Sequence, residues 1–432
     1  MRMKFTRSSQ LVLVSAASLV AATLVTACSQ FTQTLTVDFV YVTSAKAAGT
    51  NNYGEINVFE INSESGRMRQ IPTSPFPSEG RNPVAEAVSS DYGSLFVVNH
   101  DDNTIVQFVI GSDGKLYGFN TVNTPGVFPM AVTTSKSNLF VVDTYQPLPI
   151  ASIAHPCSGS IAVYPLKAAT SSTPVGLPPQ AVNNTAVGGN YWPLALPGAN
   201  SDSSNCTSSG HVIVPTAVNV LASGADVYVT AYDASASPSV GYIFGFSVGS
   251  DGTLTPLSGS PFEAGVQPSA VASKSDSTGT YVYATDFARG NVLAYSVSSG
   301  NLTQLGGSPF PAGNQPSAIV VNPTYPYAYV ANSLDGTIEA YSISNGRLSY
   351  LGNSPTPVIY AAGVQPVAIG IDPSTNRFLY AVNFLNNTVS GYQSSITTGT
   401  LLDSQFSPYP TNANPTAVAA IPHNGTGAGI QP

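Results

Sequence analysis

The stretch that decides the fold is PSAIVVNPTYPYAYVANSLDGTIEAYSISNGRL, residues 316–348. It holds three linked blocks: Pro316-Ser317-Ala318, an apolar run over 328–332, and an alternating run over 338–341. Proline followed by small residues suits the start of a crowded inner strand. A short apolar run rich in aromatic and β-branched residues indicates a strand buried on both faces. The Asn345-Gly346 dipeptide then predicts a hairpin into a fourth strand.

Each block recurs seven times along the chain, and we call the strands A, B, C and D in this order. The Pro-x-Ala block that opens strand A begins at Pro83, Pro129, Pro215, Pro268, Pro316, Pro366 and Pro415. Gly-led turns between strands C and D mark six of the copies, and the third copy has none. Four strands at a spacing of about 45 to 55 residues are typical of propeller blades.

The phase of the repeat predicts how the ring closes. The chain enters at a B strand near Val40 and ends on a lone A strand at Pro415. We therefore predict an all-β fold, a seven-bladed β-propeller of four-stranded antiparallel blades, in which the C-terminal strand completes the N-terminal blade and leaves no open edge. The period-2 pattern excludes a helical solenoid, and the count and phase disfavour two separate sandwiches.

Composition narrows the class of protein. Charged residues make up 8% of the 432 residues, the formal net charge is −8, and Gly (38) and Pro (34) are plentiful. Such a turn-rich, weakly charged chain fits an extracytoplasmic all-β protein. No basic stretch occurs after the N-terminus, so we expect no nucleic-acid partner. The sequence has no phosphate loop, no Gly-x-Ser-x-Gly elbow and no His-Glu-x-x-His, and we expect no cofactor and no metal.

The N-terminus has the pattern of an export signal. Positive residues precede an apolar stretch over 11–25, and 25–28 reads Val-Thr-Ala-Cys, which resembles a bacterial lipobox. This resemblance implies lipidation of Cys28; an uncleaved membrane anchor and an ordinary signal peptide are the alternatives. The predicted organisation is a signal peptide at 1–27, a tether at 28–36, the propeller at 37–422 and a flexible tail at 423–432. Ser29 after the Cys favours the outer membrane of a bacterial envelope, with the protein facing the periplasm or the outer surface.

The third repeat carries two insertions, at 144–159 and 165–214, which should reach the same face of the propeller. One contains Cys157 and the other Cys206. In an oxidising compartment this pair indicates a disulfide. A zinc site that also uses His155 and His211 is the alternative, but the spacings match no common zinc motif.

Candidate site residues follow the B strands, because the B–C turns and D–A connections share one face with the channel mouth, which we call the loop face. His100 and Asp101 could act as an acid/base pair, with Arg289 as a positive group; a solvated turn is the alternative. Tyr191 and Trp192 could stack on a sugar or pack locally under the loop. The further residues that we place on the loop face as candidates for binding are Asp143, Asp233 and Asp286, with Tyr145.

Three of the apolar blocks are similar to the YVTN repeat: Tyr41-Val42-Thr43, Tyr228-Val229-Thr230 and Tyr329-Val330-Ala331-Asn332. Through these blocks, residues 37–422 resemble the lactonase-type seven-bladed propeller family. The named activity of that family is 6-phosphogluconolactonase. Hydrolytic members carry Pro-Arg-His at the start of an A strand and Asn-Glu after a B strand. In this chain the third residue of the Pro-x-Ala block is always Ala, and Asn332 and Asn383 precede Ser and Phe.

We therefore expect a monomeric, lipid-anchored propeller that binds a small molecule, a glycan or an envelope protein, with degenerate or no catalysis. A lactone hydrolase with a site rebuilt from His100, Asp101 and Arg289 is the alternative. A surface-layer or adhesion scaffold is a third possibility.

Overall fold

A computed structural model of the chain describes residues 36–48, 51–62, 64–146, 158–170, 173–197 and 211–422. The strands of the first half, in chain order, are β1 Thr36–Ala48, β2 Tyr53–Asn62, β3 Met68–Gln70, β4 Phe76–Pro77, β5 Pro83–Val88, β6 Ser94–Asn99, β7 Thr104–Ile110, β8 Leu116–Asn123, β9 Val127–Thr134, β10 Asn138–Tyr145, β11 Ser160–Pro165, β12 Trp192–Pro193, β13 Ile213–Val220, β14 Asp226–Asp233, β15 Val240–Val248, β16 Leu254–Pro256 and β17 Phe262–Glu263.

The strands of the second half are β18 Pro268–Asp276, β19 Gly279–Asp286, β20 Asn291–Ser298, β21 Asn301–Gln304, β22 Phe310–Pro311, β23 Pro316–Val321, β24 Tyr327–Asn332, β25 Thr337–Ser344, β26 Arg347–Tyr350, β27 Val358–Ala361, β28 Pro366–Ile371, β29 Phe378–Asn383, β30 Thr388–Ser394, β31 Leu401–Asp403, β32 Tyr409–Pro410 and β33 Pro415–Pro422. A short 3₁₀ turn spans Leu351–Asn353.

The described strands form seven antiparallel sheets, which we number as blades along the chain. Blade 1 combines β33 with β1 to β4, and blade 2 holds β5 to β8. The remaining blades start at the innermost strands β9, β13, β18, β23 and β28. Each innermost strand contacts the innermost strands of the two adjacent blades, and β28 of blade 7 contacts β33 of blade 1. The seven-bladed propeller and its closed ring are therefore confirmed.

The closing blade joins the two ends of the propeller. β1 pairs with β33 in antiparallel register from Asp38 opposite Pro422 to Ser44 opposite Pro415. The register shifts between Thr43 and Ser44, and the same irregularity follows the leading Pro of the innermost strand in other blades. The predicted completion of the N-terminal blade by the C-terminal strand is thus correct.

The core lies between the blades and is built from the B and C strands. Val40, Tyr41 and Val42 of β1 are fully buried, as are the corresponding residues of β6, β10 and β29. Burial on both faces explains why the B strands read as continuous apolar runs and not as alternating ones.

Repeated tyrosines link neighbouring blades. The hydroxyl of Tyr41 donates to the carbonyl of Gly114 in the next blade at 3.1 Å. The hydroxyl of Tyr392 at the end of a C strand donates instead to Ala361 of the preceding blade at 2.6 Å. Because a buried phenol needs a partner, these bonds give the repeated Tyr residues a structural role beyond apolar packing.

The Pro-x-Ala block forms a second kind of link between blades. The middle residue donates its hydroxyl to the carbonyl of the leading Pro in the next blade. The bonds are Thr216 to Pro268 (2.8 Å), Ser269 to Pro316 (2.5 Å), Ser317 to Pro366 (2.6 Å) and Thr416 to Pro83 (3.0 Å). In the three other blades the middle residue is Val84, Met130 or Val367, which has no hydroxyl.

The third blade has the fourth strand that the sequence did not reveal. β12 contains only Trp192 and Pro193, and it pairs with β11 through Ile161 opposite Trp192. Two residues are too few to show periodicity, and they follow an insertion of irregular chain.

Candidate functional site on the loop face

The loop face is assembled by the same backbone contact in several blades. The first residue of a B–C turn donates its N–H to the carbonyl of the residue before the leading Pro. This bond joins His100 to Asn82 at 3.0 Å and Phe287 to Gln267 at 2.9 Å. The B–C turn and the D–A connection of one blade are therefore held side by side at the channel mouth.

The acidic residues of β10 and β19 that lie opposite the leading Pro face the loop backbone of their own blade. Asp143 is fully buried, and its Oδ2 accepts a hydrogen bond from the Gly126 N–H at 3.0 Å. Asp286 is also buried and accepts from the N–H groups of Val266 at 2.9 Å and Gln267 at 3.1 Å. Burial raises the pKa of Asp143 to about 7, against hydrogen bonds that lower it. These two predicted binding residues thus hold the loops in place.

These loops share a sequence signal that the three repeat blocks do not include, a glycine three residues before the leading Pro. It occurs at Gly80, Gly126, Gly265, Gly313 and Gly363. A β-carbon at Gly265 would lie 2.1 Å from Asp286 Oδ2, and one at Gly126 would lie 2.3 Å from the β-carbon of Asp143. The close approach of the loop to the polar residue therefore requires glycine.

An aromatic cluster lies on the loop face between blades 2 and 3, and we call His100, Phe128 and Tyr145 the aromatic cluster. The rings of His100 and Phe128 stack with centroids 4.7 Å apart and planes 9° from parallel. Tyr145 meets Phe128 edge-on at 6.3 Å. Such stacked and edge-to-face contacts are favourable geometries for aromatic rings. His100 and Tyr145 were predicted for this face, and Phe128 was not.

Phe128 is held in a conformation that is unusual for a bulky residue, with φ at +59°. Its N–H donates to Oδ1 of Asn103 at 2.7 Å, and its carbonyl accepts the Thr144 hydroxyl at 2.7 Å. The residue before the leading Pro has positive φ in four other blades as well, at Asn82, Gln315, Gln365 and Asn414, so this backbone conformation belongs to the repeat, and blade 3 differs in placing an aromatic ring there. The contacts with Asn103 and Thr144 fix the ring against His100.

His100 and Asp101 form the predicted pair. His100 Nδ1 lies 2.7 Å from Asp101 Oδ1, and Asp101 also accepts from Asn82 Nδ2 at 3.0 Å. Desolvation alone would raise the pKa of Asp101, but the hydrogen bonds from Asn82 and His100 together lower it. The carboxylate therefore occupies Nδ1 and leaves Nε2 of His100 as the ring's other hydrogen-bonding atom.

The positive group beside this pair is Arg81, not Arg289. Arg81 binds Asp102 through its backbone N–H at 2.7 Å and its guanidinium at 2.5–2.6 Å, and it also reaches the carbonyl of Asp101 at 3.3 Å. Arg289 is exposed in the β19–β20 turn of blade 5, three blades away round the ring from His100. The structure thus brings His100 and Asp101 together and leaves Arg289 apart.

A second His–Asp pair lies on the loop face at blade 4. His211 Nδ1 is 2.6 Å from Asp233 Oδ2, while Oδ1 accepts from the N–H and hydroxyl of Ser235 at 3.0 and 2.5 Å. Asp233 is buried, whereas the His211 side chain is 47% exposed. Desolvation opposes ionisation of Asp233, but these hydrogen bonds lower its pKa. The residues are 22 positions apart, and they meet because β14 extends two residues past Ala231, which lies opposite the leading Pro215.

Hydrogen bonds connect the second pair to the aromatic cluster. Gln146, which follows Tyr145, donates its N–H to the Ser158 carbonyl at 3.1 Å. The Ser158 hydroxyl donates in turn to the carbonyl of His211 at 3.4 Å. The polar and aromatic residues of blades 2, 3 and 4 therefore form one continuous strip on the loop face.

The two predicted aromatic residues of the insertion belong to the core. Tyr191 and Trp192 are 7% and 6% exposed, and Trp192 packs in a cluster with Ile161, Leu194 and Ile213. They are local packing residues under the loop, which was one of the two interpretations of this pair.

Cys28, His155, Cys157 and Cys206 lie outside the described residues, so the lipidation and the disulfide stay predictions. In the described part of the chain, no three His, Cys, Asp or Glu side chains gather as a metal ion would require. The same residues include no helix long and apolar enough to span a membrane.

The fold and the loop face agree with the family comparison. The family model described as "Lactonase, 7-bladed beta-propeller" matches residues 39–177 and 215–419. The match covers most of the chain, and the protein therefore belongs to the Lactonase family of seven-bladed β-propellers. Comparison with curated proteins gives no match.

Solved structures share the fold. A putative 6-phosphogluconolactonase from Bacteroides fragilis is 18% identical with a TM-score of 0.66, covering 90% of this chain and 99% of that one. A putative 6-phosphogluconolactonase from Bacteroides uniformis is 18% identical with a TM-score of 0.64, covering 89% and 99%. The periplasmic gluconolactonase PpgL of Pseudomonas aeruginosa is also 18% identical, with a TM-score of 0.62 and the same coverage.

Proposed function

We propose that the protein binds a polyhydroxylated small molecule, of the sugar-acid or sugar-lactone class, on the strip of blades 2 to 4. The observation that carries this proposal is the aromatic cluster, in which His100 stacks on Phe128 beside Tyr145. Aromatic rings offer apolar contact to the C–H faces of a sugar, and the two His–Asp pairs offer hydrogen bonds to its hydroxyls. The related structures from Bacteroides fragilis and Pseudomonas aeruginosa are named as a putative 6-phosphogluconolactonase and a gluconolactonase, which supports this class of ligand.

Weak or absent catalysis is part of the proposal. Lactone hydrolysis needs an activated water and a positive group for the developing oxyanion. The position where hydrolytic members carry Arg holds no charged residue in this chain, and in four blades its hydroxyl is already bonded to the next blade. Arg289 lies three blades from His100 and is badly placed to assist it.

A lactone hydrolase with a rebuilt site is the second candidate, because one observation favours it. The Arg81 guanidinium lies beside the His100–Asp101 pair through its contact with the Asp101 carbonyl. The hydrolase would therefore use Arg81 where we predicted Arg289. Arg81 is also paired with Asp102, which reduces the positive charge that it offers to an oxyanion.

Two assays on the same variants separate the candidates. Gluconate binding is measured by isothermal titration calorimetry, and glucono-δ-lactone and 6-phosphogluconolactone hydrolysis are followed against the spontaneous rate. The variants are His100→Ala, Phe128→Ala and Arg81→Ala, with Arg289→Ala as the matched exposed control. We expect gluconate binding that is lost in His100→Ala and Phe128→Ala and kept in Arg289→Ala, with no turnover above buffer.

Turnover that falls in both His100→Ala and Arg81→Ala would establish the hydrolase instead. Wild-type protein that binds neither gluconate nor the lactones would refute this ligand class.

We further propose that the protein is exported to the cell envelope and anchored by lipid on Cys28. The support is the lipobox-like sequence at 25–28 and the periplasmic setting named for one related structure. Mass analysis of the mature N-terminus should find acylated Cys28, and an unmodified N-terminus at another residue would contradict it. Non-reducing thiol counting should find Cys157 and Cys206 oxidised.

A further inference from the structure

The ring-closing blade has a buried carboxyl group at each of its two borders. Asp38 of β1 lies at the border with blade 7, where it accepts a hydrogen bond from the Ser374 hydroxyl. Glu86 of β5 in blade 2 lies at the other border, where it accepts from the Thr43 hydroxyl of β1. The Glu86 carboxyl also accepts from the backbone N–H of Ala419 in β33, so that it contacts both strands that close the ring.

Each of these carboxyls keeps one oxygen that is buried and has no hydrogen-bond donor, Oδ2 of Asp38 and Oε1 of Glu86. No Lys, Arg or His forms an ion pair with either group in the described part of the chain. A buried carboxylate without a cationic partner is costly, whereas a neutral carboxyl is tolerated. Burial raises the pKa of both groups to about 8. The hydrogen bonds from Ser374 and Thr43 lower the pKa, but their effect is smaller than that of burial.

The groups that face Asp38 from blade 7 reinforce its neutral form. Asp372 is fully buried and its carboxyl accepts five hydrogen bonds, from the Thr375 hydroxyl and the N–H groups of Thr375, Asn376, Arg377 and Phe378. With donors at both of its oxygens, Asp372 is an acceptor, and its charge further raises the pKa of Asp38. The other titratable neighbours are the buried phenols Tyr380, near Asp38, and Tyr41, near Glu86; burial raises the pKa of both, so they stay neutral.

The position of Glu86 in the repeat supports a special role. It stands three residues after the leading Pro, where the six other blades have a β-branched apolar residue: Val132, Val218, Val271, Ile319, Ile369 and Val418. Blade 2 therefore places a carboxyl group at an otherwise apolar repeat position, on its border with the blade that closes the ring.

We propose that Asp38 and Glu86 act as two latches on the closing blade, each holding it only while its carboxyl is neutral, so that β1 and β33 loosen from the ring in alkaline solution. The direction in which pH changes the stability of the closed blade follows from proton binding. Between an unfolded pKa near 4 and a folded pKa of about 8, the closed blade binds a proton that the open blade releases. The closed state is therefore favoured fully in acid and loses this advantage as pH rises through about 8.

Hydrogen–deuterium exchange of the full chain at pH 6, 7, 8 and 9 tests the latches, with protection factors corrected for the intrinsic exchange rate at each pH. One ionising carboxyl can lower protection by up to tenfold per pH unit below its folded pKa. We expect the protection of β1 and β33 to fall at least tenfold between pH 6 and 8 in the wild type, with β19 of blade 5 unchanged. In the Asp38→Asn/Glu86→Gln double variant, β1 and β33 should keep the same protection at every pH.

Asp143→Asn is the matched control, because it removes another buried carboxyl with a raised pKa from blade 3, away from the closing blade. It should leave the pH response of β1 and β33 as in the wild type. Protection of β1 and β33 that does not depend on pH in the wild type, or that falls equally in all blades, would overturn the proposal, and this holds even if the double variant does not fold. A double variant that folds and still loses protection above pH 7 would overturn it too.

Discussion

Replacing Trp192 with Ala tests whether the insertion of blade 3 is part of the core or part of the ligand-binding surface. Trp192 is 6% exposed, sits opposite Ile161 in the two-residue strand β12, and packs against Leu194 and Ile213. An aromatic side chain of this size buries roughly 200 Å², which at about 25 cal/mol per Å² is worth about 5 kcal/mol. Large-to-small replacements of buried aromatic residues cost about 3–5 kcal/mol. We therefore expect the free energy of unfolding to fall by about 4 kcal/mol.

The assay uses the fact that Trp192 is the only tryptophan in the chain. Its emission in the wild type should be blue-shifted and resist acrylamide quenching, because the indole is buried. Stability of Trp192→Ala is measured by urea unfolding followed by far-UV circular dichroism. Tyr117→Ala is the control, since Tyr117 is 37% exposed on β8 and should change stability by less than about 1 kcal/mol.

A water-like emission maximum, or a loss below about 1 kcal/mol in Trp192→Ala, would refute the packing of blade 3 described above. A loss of gluconate binding in a variant of unchanged stability would show that the indole contacts the ligand instead.

Three further substitutions test the links between strands and blades by urea unfolding. Gly265→Ala should cost about 2–4 kcal/mol, because φ is +72° and the new β-carbon would collide with the Asp286 carboxylate; a neutral result would contradict the close loop contact. Ser317→Ala should cost about 1 kcal/mol by removing the bond to the Pro366 carbonyl, and an unchanged midpoint would deny that the bond stabilises the ring. Lys274→Met should cost about 3 kcal/mol, because the buried ammonium of blade 5 donates to three carbonyl oxygens of blade 6. A more stable Lys274→Met protein would show that desolvation of the ammonium, which lowers its pKa, outweighs those bonds.

The fold was predictable because each blade repeats a local sequence pattern that indicates the same order of strands. The leading Pro lacks an N–H and begins an inner strand, and the buried B strand reads as an apolar run. The lone A strand at Pro415 needed a partner, and the repeat that lacked an A strand of its own began at β1. Ring closure thus followed from counting strands, without any information on side-chain contacts.

The links between blades were not predictable from the same patterns. The bond from the Ser317 hydroxyl to the Pro366 carbonyl spans 49 positions, and the bond from Tyr41 to Gly114 spans 73. A hydroxyl residue in a strand is also common for packing reasons alone. The regular appearance of Ser or Thr after the leading Pro in four blades was visible, but only the structure shows which carbonyl accepts the hydrogen bond.

The candidate site was predicted in part, and the reason lies in the direction of the side chains. Asp143 and Asp101 both stand near the end of a B strand or just after it, so the sequence predicts both of them equally as residues of the loop face. A shift of two positions decides the outcome. Asp143 lies opposite the leading Pro129 and accepts from the Gly126 N–H, whereas Asp101 lies two residues beyond Asn99, the residue opposite Pro83, and contacts the His100 ring. Polar residues opposite the Pro hold loops, and residues after them are free to meet a ligand.

The same reasoning explains the second His–Asp pair, which no motif indicated. His211 and Asp233 meet only because β14 continues two residues past the position opposite Pro215, which lifts Asp233 to the level of the D–A connection. β10 of blade 3 likewise continues to Tyr145, opposite Val127. The two extended B strands are adjacent, and they carry Tyr145 and Asp233 beyond the level at which the B strands of blades 2, 5, 6 and 7 end; β1 of blade 1 extends further still, to Ala48. The parts of the proposed binding strip that lie in blades 3 and 4 therefore depend on strand length there, and shortening β14 should remove the His211–Asp233 pair without opening the ring.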